Sequence, residues 1–268
     1  MSFLEQVRRI RELYLASKST HERRQSLLMV EVFRPISFWM TPPFLRAGLS
    51  ANQVTVFNWL VAAGAVAACA VGGPLWFRVA GGLYLLNYLL DLVDGNVARY
   101  RETRTHLGKF LDGIGDTAKL PLLYVALAIA LYRHLPDLDL GAWLIRHTVA
   151  ESWFVVAALG STLQLMDLNL EIRLDRGIKA IALQKIDAGS PPPGPSPAAP
   201  PASGWRALPR LLRRFNAETQ LPAWVAGCAW NRPDWLMAWL IACSVLECGS
   251  NIARNVLRAR RDLDYPRP

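Results

Sequence analysis

The sequence has few of the groups that staple or switch a small soluble domain. It holds four cysteines, Cys69, Cys228, Cys243 and Cys248, all in or beside apolar stretches and with no C-x-x-C pair. That spacing gives no support to a disulfide framework or a thiolate zinc site, and the four read as small buried hydrophobes. Histidine is equally scarce; His106, His134 and His147 show no metal-ligand spacing and read as interfacial. Charged residues make up only 19%, and acids are the minority, 21 against 30 Lys and Arg. Residues 1–34 are charged throughout and lack the apolar core of a cleavable leader, so insertion into a membrane is expected to rest on internal segments.

What is abundant is apolar surface. Of 268 residues, 52% are hydrophobic, and the mean hydropathy is +0.18. Ten Trp and seven Tyr suit the headgroup level of a bilayer. About 20 apolar residues are needed to cross the hydrocarbon core. Six spans are expected on that basis, an all-α, polytopic membrane fold. They run from about Val54 to Val71, Leu75 to Val93, His106 to Tyr132, Leu144 to Met166, Pro222 to Trp230 with its flanks, and Trp235 to Ile252. Gly72-Gly73-Pro74 and Asn231-Arg232-Pro233 mark turns.

Residues 1–50 read as an N-terminal juxtamembrane segment. In it Arg8, Arg9, Arg11, Lys18, Arg23, Arg24 and Arg34 are interleaved with apolar residues at roughly helical spacing, the pattern of an amphipathic interfacial helix. Phe38 to Leu45 is too short and too rich in Pro to span and is expected along the cytoplasmic interface. Within the six-helix domain, residues 51–255, the run from about 189 to 204 contains Pro191-Pro192-Pro193-Gly194-Pro195 and reads as a disordered cytoplasmic loop. Residues 256–268 form a basic cytoplasmic tail.

A net charge of +9 and a pI near 9.8 suit nucleic acid or an anionic membrane surface, and position decides between them. With six spans both termini share one side, and the basic residues gather there: the N-terminal segment, Arg101, Arg104 and Lys109, the Glu171 to Arg214 region, and the tail. The opposite loops hold chiefly Arg133, Arg146 and Arg232. The surplus therefore reads as cytoplasmic topology, with no nucleic-acid partner.

Between the second and third spans run Asp91-Leu92-Val93-Asp94-Gly95-Asn96-Val97-Ala98-Arg99, then eight residues to Gly108, then Asp112 and Asp116. A carboxylate at membrane depth costs about 2.5 to 3.5 kcal/mol on insertion scales. Four so close together call for a cationic partner. On helices, Asp91 and Asp94 share one face at i, i+3, and Asp112 and Asp116 share another at i, i+4. Arg99, Lys109 and Lys119 are the nearby cations, but a set of oxygen ligands suits two Mg²⁺ or Mn²⁺ ions better. Two such ions would clamp a diphosphate. Gly95, Ala98 and Gly108 would let backbone approach a nucleotide, although small residues also serve helix packing. Arg99 suits bidentate phosphate contact.

The pattern D-x-x-D-G-x-x-A-R-x8-G-x-x-x-D-x-x-x-D is complete here and resembles the signature of the CDP-alcohol phosphatidyltransferase family. Upstream, Leu49 to Thr55 is similar to that family's entry into its first span, P-N-x-x-T, with Ala51 where Pro is usual. The resemblance implies a six-helix fold, often a homodimer, with a cytoplasmic active site, in a cell membrane such as the bacterial inner membrane. It implies that Asp91, Asp94, Asp112 and Asp116 are metal ligands and that Asp116 is also the general base. Asn52, Thr55, Gly95, Ala98, Arg99 and Gly108 would surround the CDP moiety. The donor expected is CDP-diacylglycerol and the acceptor a hydroxyl compound, with membrane lipids as surroundings. A soluble CDP-alcohol donor, as in aminoalcohol-type or polysaccharide-tailoring enzymes, is the alternative, and a divalent metal transporter a remote one. For the acceptor, Arg173, Arg176, Lys179, Asn251 and Arg254 are available, with none singled out.

Overall fold

The structure, a computed structural model, describes residues 1–18, 28–103, 105–134, 152–166, 169 and 217–262. Helix is the only regular structure among them, as the apolar periodicity requires. The first helix, α1 (Phe3–Lys18), starts with a reciprocal cap. The Ser2 amide donates to the Glu5 carboxylate at 2.7 Å, and the Glu5 amide donates to the Ser2 hydroxyl at 3.3 Å. Hydrogen bonding to the carboxylate by the Ser2 backbone foremost, and by the Ser2 side chain, holds the Glu5 carboxyl below its ordinary pKa.

A single π-helical turn, Met29–Phe33, leads into α2 (Arg34–Arg46). The stretch Phe38 to Leu45 is thus helical in spite of Pro42 and Pro43 inside it. At 13 residues, α2 reaches only about 20 Å, short of the hydrocarbon thickness.

Next, α3 (Ala51–Val71) begins at a capping box in which Ser50 and Gln53 exchange side-chain and backbone hydrogen bonds. It ends at Gly72 and Gly73, whose φ values of +74° and +82° are open to glycine at little cost. The expected turn is therefore present. Beyond it lie α4 (Gly73–Tyr100) and α5 (His106–His134), which runs unbroken through Pro121. At the far end of α5, Arg133 donates to Ala70 O at 3.3 Å and the His134 ring to Val71 O at 3.0 Å. Two side chains thus satisfy the last carbonyls of α3, which have no partner within their own helix.

The remaining helices are α6 (Ser152–Met166), α7 (Ala217–Ala229) and α8 (Pro233–Asp262). Asn231, at φ +53°, makes the expected turn between the last two, and Arg232 clamps Asp234 at 2.7 and 3.0 Å.

Three helices are long and apolar enough to cross a membrane: α3, the Gly113–His134 part of α5 and the Pro233–Ala253 part of α8. They mark the chain as a membrane protein. The second expected span, α4, has the length but carries Arg78, Asn87, Asp91 and Asp94, which lower its apolarity. The fourth is described only from Ser152 and the fifth only as α7; their remaining parts, like the Pro-rich run 189–204, lie outside the described residues. The last helix continues well past Ile252, into the basic segment.

In the packing, α3 lies against both α4 and α5, α4 also meets α2 and α7, and α8 meets α5 and α7. Phe77, Tyr124, Leu127, Trp153, Trp224 and Met237 fill the main core. Glycines set the closest approaches: a Cβ on Gly81 would lie 2.9 Å from Cys228 Cβ, and one on Gly160 would lie 2.6 Å from the Tyr124 ring. Among the described residues, no more than 41% of the apolar window of each of these three spans is buried. Leu60, Leu122, Val155, Leu159 and Val245 face outward, as lipid-facing residues do.

Candidate active site

Asn87, Asp91 and Asp94 recur on α4 at i, i+4 and i+7, so they form one stripe. A matching stripe on antiparallel α3 comprises Thr55, Asn58, Trp59 and Ala62. Where the stripes meet, the Thr55 hydroxyl lies 2.7 Å from Asp94 Oδ2 and 3.1 Å from Ala51 O. With one proton to give, it donates to the carboxylate, the charge-assisted and shorter bond. Asp94 is buried, at 8% exposure. Two turns deeper, Asn87 donates to Asn58 Oδ1 at 2.6 Å and to its carbonyl at 3.2 Å. Asp91 lies between these two bonds and lines a cavity of about 20 Å³, enough for a single water-sized species. Thr55, Asn58, Trp59 and Asn87 share that lining, and α5 adds Gly115 and Lys119.

On α5 two glycines bring the acidic segment down onto α3. A Cβ on Gly108 would lie 3.0 Å from Asn52 Oδ1, and one on Gly115 only 2.5 Å from Trp59 Nε1. Between them, one turn after Gly108, stands Asp112, and Asp116 follows Gly115 directly. The side chains of Asp112 and Asp116 lie outside what is described. Among the described residues no three acidic, Cys or His side chains converge on a point. The platform on which both acid-bearing segments rest is α3.

Arg99 is held at the next turn of α4. Its Nη2 donates to Asn96 Oδ1 at 2.7 Å, and Asn96 Nδ2 donates to Ser37 and Thr41 of α2, both at 3.2 Å. The guanidinium folds back over Gly95, where a Cβ would lie 3.3 Å from Nη2. Ala98 is half-buried beside it. The expected site residues thus come together as Thr55 with Asp94, Asn52 with Gly108, and Gly95 with Arg99. Of the acceptor candidates, Arg173, Arg176, Lys179 and the Arg254 side chain lie outside the described residues, and Asn251 is half-buried on α8.

Residues 49–190, just over half of the chain and beginning one residue before the α3 cap, match the family model of CDP-alcohol phosphatidyltransferase. The chain belongs to the CDP-alcohol phosphatidyltransferase family. No curated protein gives a significant match. Membership makes it a transferase of the CDP-alcohol type, with a CDP-alcohol donor and a hydroxyl acceptor. For this CDP-alcohol phosphatidyltransferase, Ala51 in place of Pro has a local remedy, because the Ser50–Gln53 capping box fixes the helix start. The family uses divalent metals, and the donor chemistry here fits: Asp91, in the cavity lining with Lys119, and Asp94 at i+3 on the same helix face offer hard oxygen ligands. Sequence reasoning passed over Asn58, Trp59 and Asn87 and set Lys119 aside. The available signal was polar side chains recurring at helical spacing inside apolar spans.

Proposed function

We propose that the chain moves a phosphatidyl group from CDP-diacylglycerol onto a hydroxyl acceptor, with release of CMP, in phospholipid synthesis. The observation that carries this reading is the joint seating of the two acid-bearing segments on α3, with Asp94 bonded to Thr55 and Asp91 in a cavity shared with α5. Asp91, Asp94, Asp112 and Asp116 are the residues that would hold two Mg²⁺ or Mn²⁺ ions. When bound, such ions neutralise a diphosphate and stabilise charge on the leaving phosphate.

The chain's own part follows from its residues. Arg99, Asn52 and Thr55, with the open backbone at Gly95, Ala98 and Gly108, receive the CDP moiety. Asp116 takes the proton of the acceptor hydroxyl while that oxygen attacks the phosphorus distal to cytidine, in line with the departing CMP. The active site and both termini face the cytoplasm of a cell whose inner membrane holds the protein, as a homodimer. The family match argues against a metal transporter.

The test is CMP release by purified protein with CDP-diacylglycerol or a soluble CDP-alcohol, against a panel of serine, glycerol phosphate, inositol, inositol phosphate, choline and ethanolamine. The lipid donor should support turnover. Release only with the soluble donor would overturn the phosphatidyl assignment and support the aminoalcohol or polysaccharide-tailoring alternative. Asp116→Asn should abolish turnover while leaving expression and thermal unfolding near wild type; a near wild-type rate would remove Asp116 as base.

A further inference from the structure

Tyr14 of α1 is buried to 1% exposure although its helix is otherwise largely exposed. Two guanidiniums approach its ring: Arg34 Cζ lies 4.6 Å from the centroid and Arg99 Cζ 5.2 Å. Both distances are within cation–π range. Arg34 is itself buried at 7%, and its Nε has no hydrogen-bond partner among the described residues. Phe38 packs against the same ring at 5.6 Å. A seat for an apolar helix would not need two cations on one tyrosine, and like charges so close oppose each other unless each is separately compensated.

Arg99 is restrained from two directions. The Asn96 bond fixes one edge of its guanidinium, and Asn96 is tied to Ser37 and Thr41 on α2. The Tyr14 face restrains the plane. An arginine side chain has much rotamer entropy to lose, so a guanidinium held before the ligand arrives loses less on binding. Tyr14, Ser37 and Thr41 all lie before residue 49, ahead of the family-matched segment.

We propose that Tyr14 is a positioning residue for Arg99, which makes the N-terminal helix a working part of the donor site. The proposal rests on the reading of Arg99 as a donor-phosphate residue. It requires that the ring, not the hydroxyl, sets donor affinity, and that it does so through Arg99.

The experiment is calorimetric titration of the detergent-solubilised full-length chain with CDP in the presence of Mg²⁺, for wild type, Tyr14→Phe and Tyr14→Leu, each also in an Arg99→Gln background. Tyr14→Leu should weaken CDP binding roughly 3- to 30-fold while Tyr14→Phe stays within about twofold. In the Arg99→Gln background, Tyr14→Leu should cause no further loss. Thermal unfolding accompanies each titration, and Tyr14→Met replaces Leu if Leu lowers the unfolding temperature. Wild-type affinity in Tyr14→Leu, an equal loss in Tyr14→Phe, or the same loss with and without Arg99 would each overturn the proposal while leaving the donor reading intact. Absence of CDP binding in wild type would instead remove the donor reading, and the proposal with it.

Discussion

Thr55 and Asp94 illustrate what a single hydroxyl does at a buried carboxylate. The 2.7 Å bond orients Asp94 and offsets part of the cost of burying it, and hydrogen bonds to charged groups are worth about 1.5–3 kcal/mol. Thr55→Val keeps the shape and removes the donor. It should raise the Mg²⁺ concentration for half-maximal CMP release on the order of tenfold or more; an unchanged metal requirement would mean that Asp94 needs no such support. The acids stood out by their spacing in the linear sequence, and Thr55 only through the family resemblance. Asn58 and Asn87 were not, since each looks like a blemish in an apolar span until the antiparallel pairing of α3 and α4 sets them 2.6 Å apart.

Among the elements, the separation of α3 and α5 is set by Gly115, where any Cβ would run into the Trp59 indole. The indole is broad and rigid, so Gly115→Ala should push α5 outward at a cost of about 1–3 kcal/mol, read as lower thermal stability together with reduced CMP release. Trp59→Val in the same chain should recover stability. If Gly115→Ala unfolds like wild type, the two helices are not held at that contact. Hydropathy made α3, α5 and α8 legible as spans. It gave less for α2, where Pro42 and Pro43 suggested only a short non-spanning stretch and the chain is helical throughout. It also ended α4 near Val93, because the Asp94 to Tyr100 turns are more polar, yet they remain helical.

At the scale of the whole molecule, no more than 41% of each apolar window is buried among the described residues, which suits spans that face lipid. In the proposed topology the basic residues of the N-terminal helix lie on the cytoplasmic side, and the α3–α4 turn on the opposite one. Ser2→Cys and Pro74→Cys should therefore react with an impermeant maleimide from opposite sides of sealed vesicles, the four native cysteines being buried. Reaction of both from one side would mean that α3 does not separate them across the membrane and would overturn that topology. The reach of α1 into the site through Tyr14 was not legible, since it depends on tertiary contacts among α1, α2 and α4.

Two-metal phosphatidyl transfer requires metal-dependent CMP release. Purified protein given labelled CDP-diacylglycerol and an accepted alcohol should release CMP with Mg²⁺ or Mn²⁺ and stop when the ions are chelated. Release at an undiminished rate in excess chelator would contradict it.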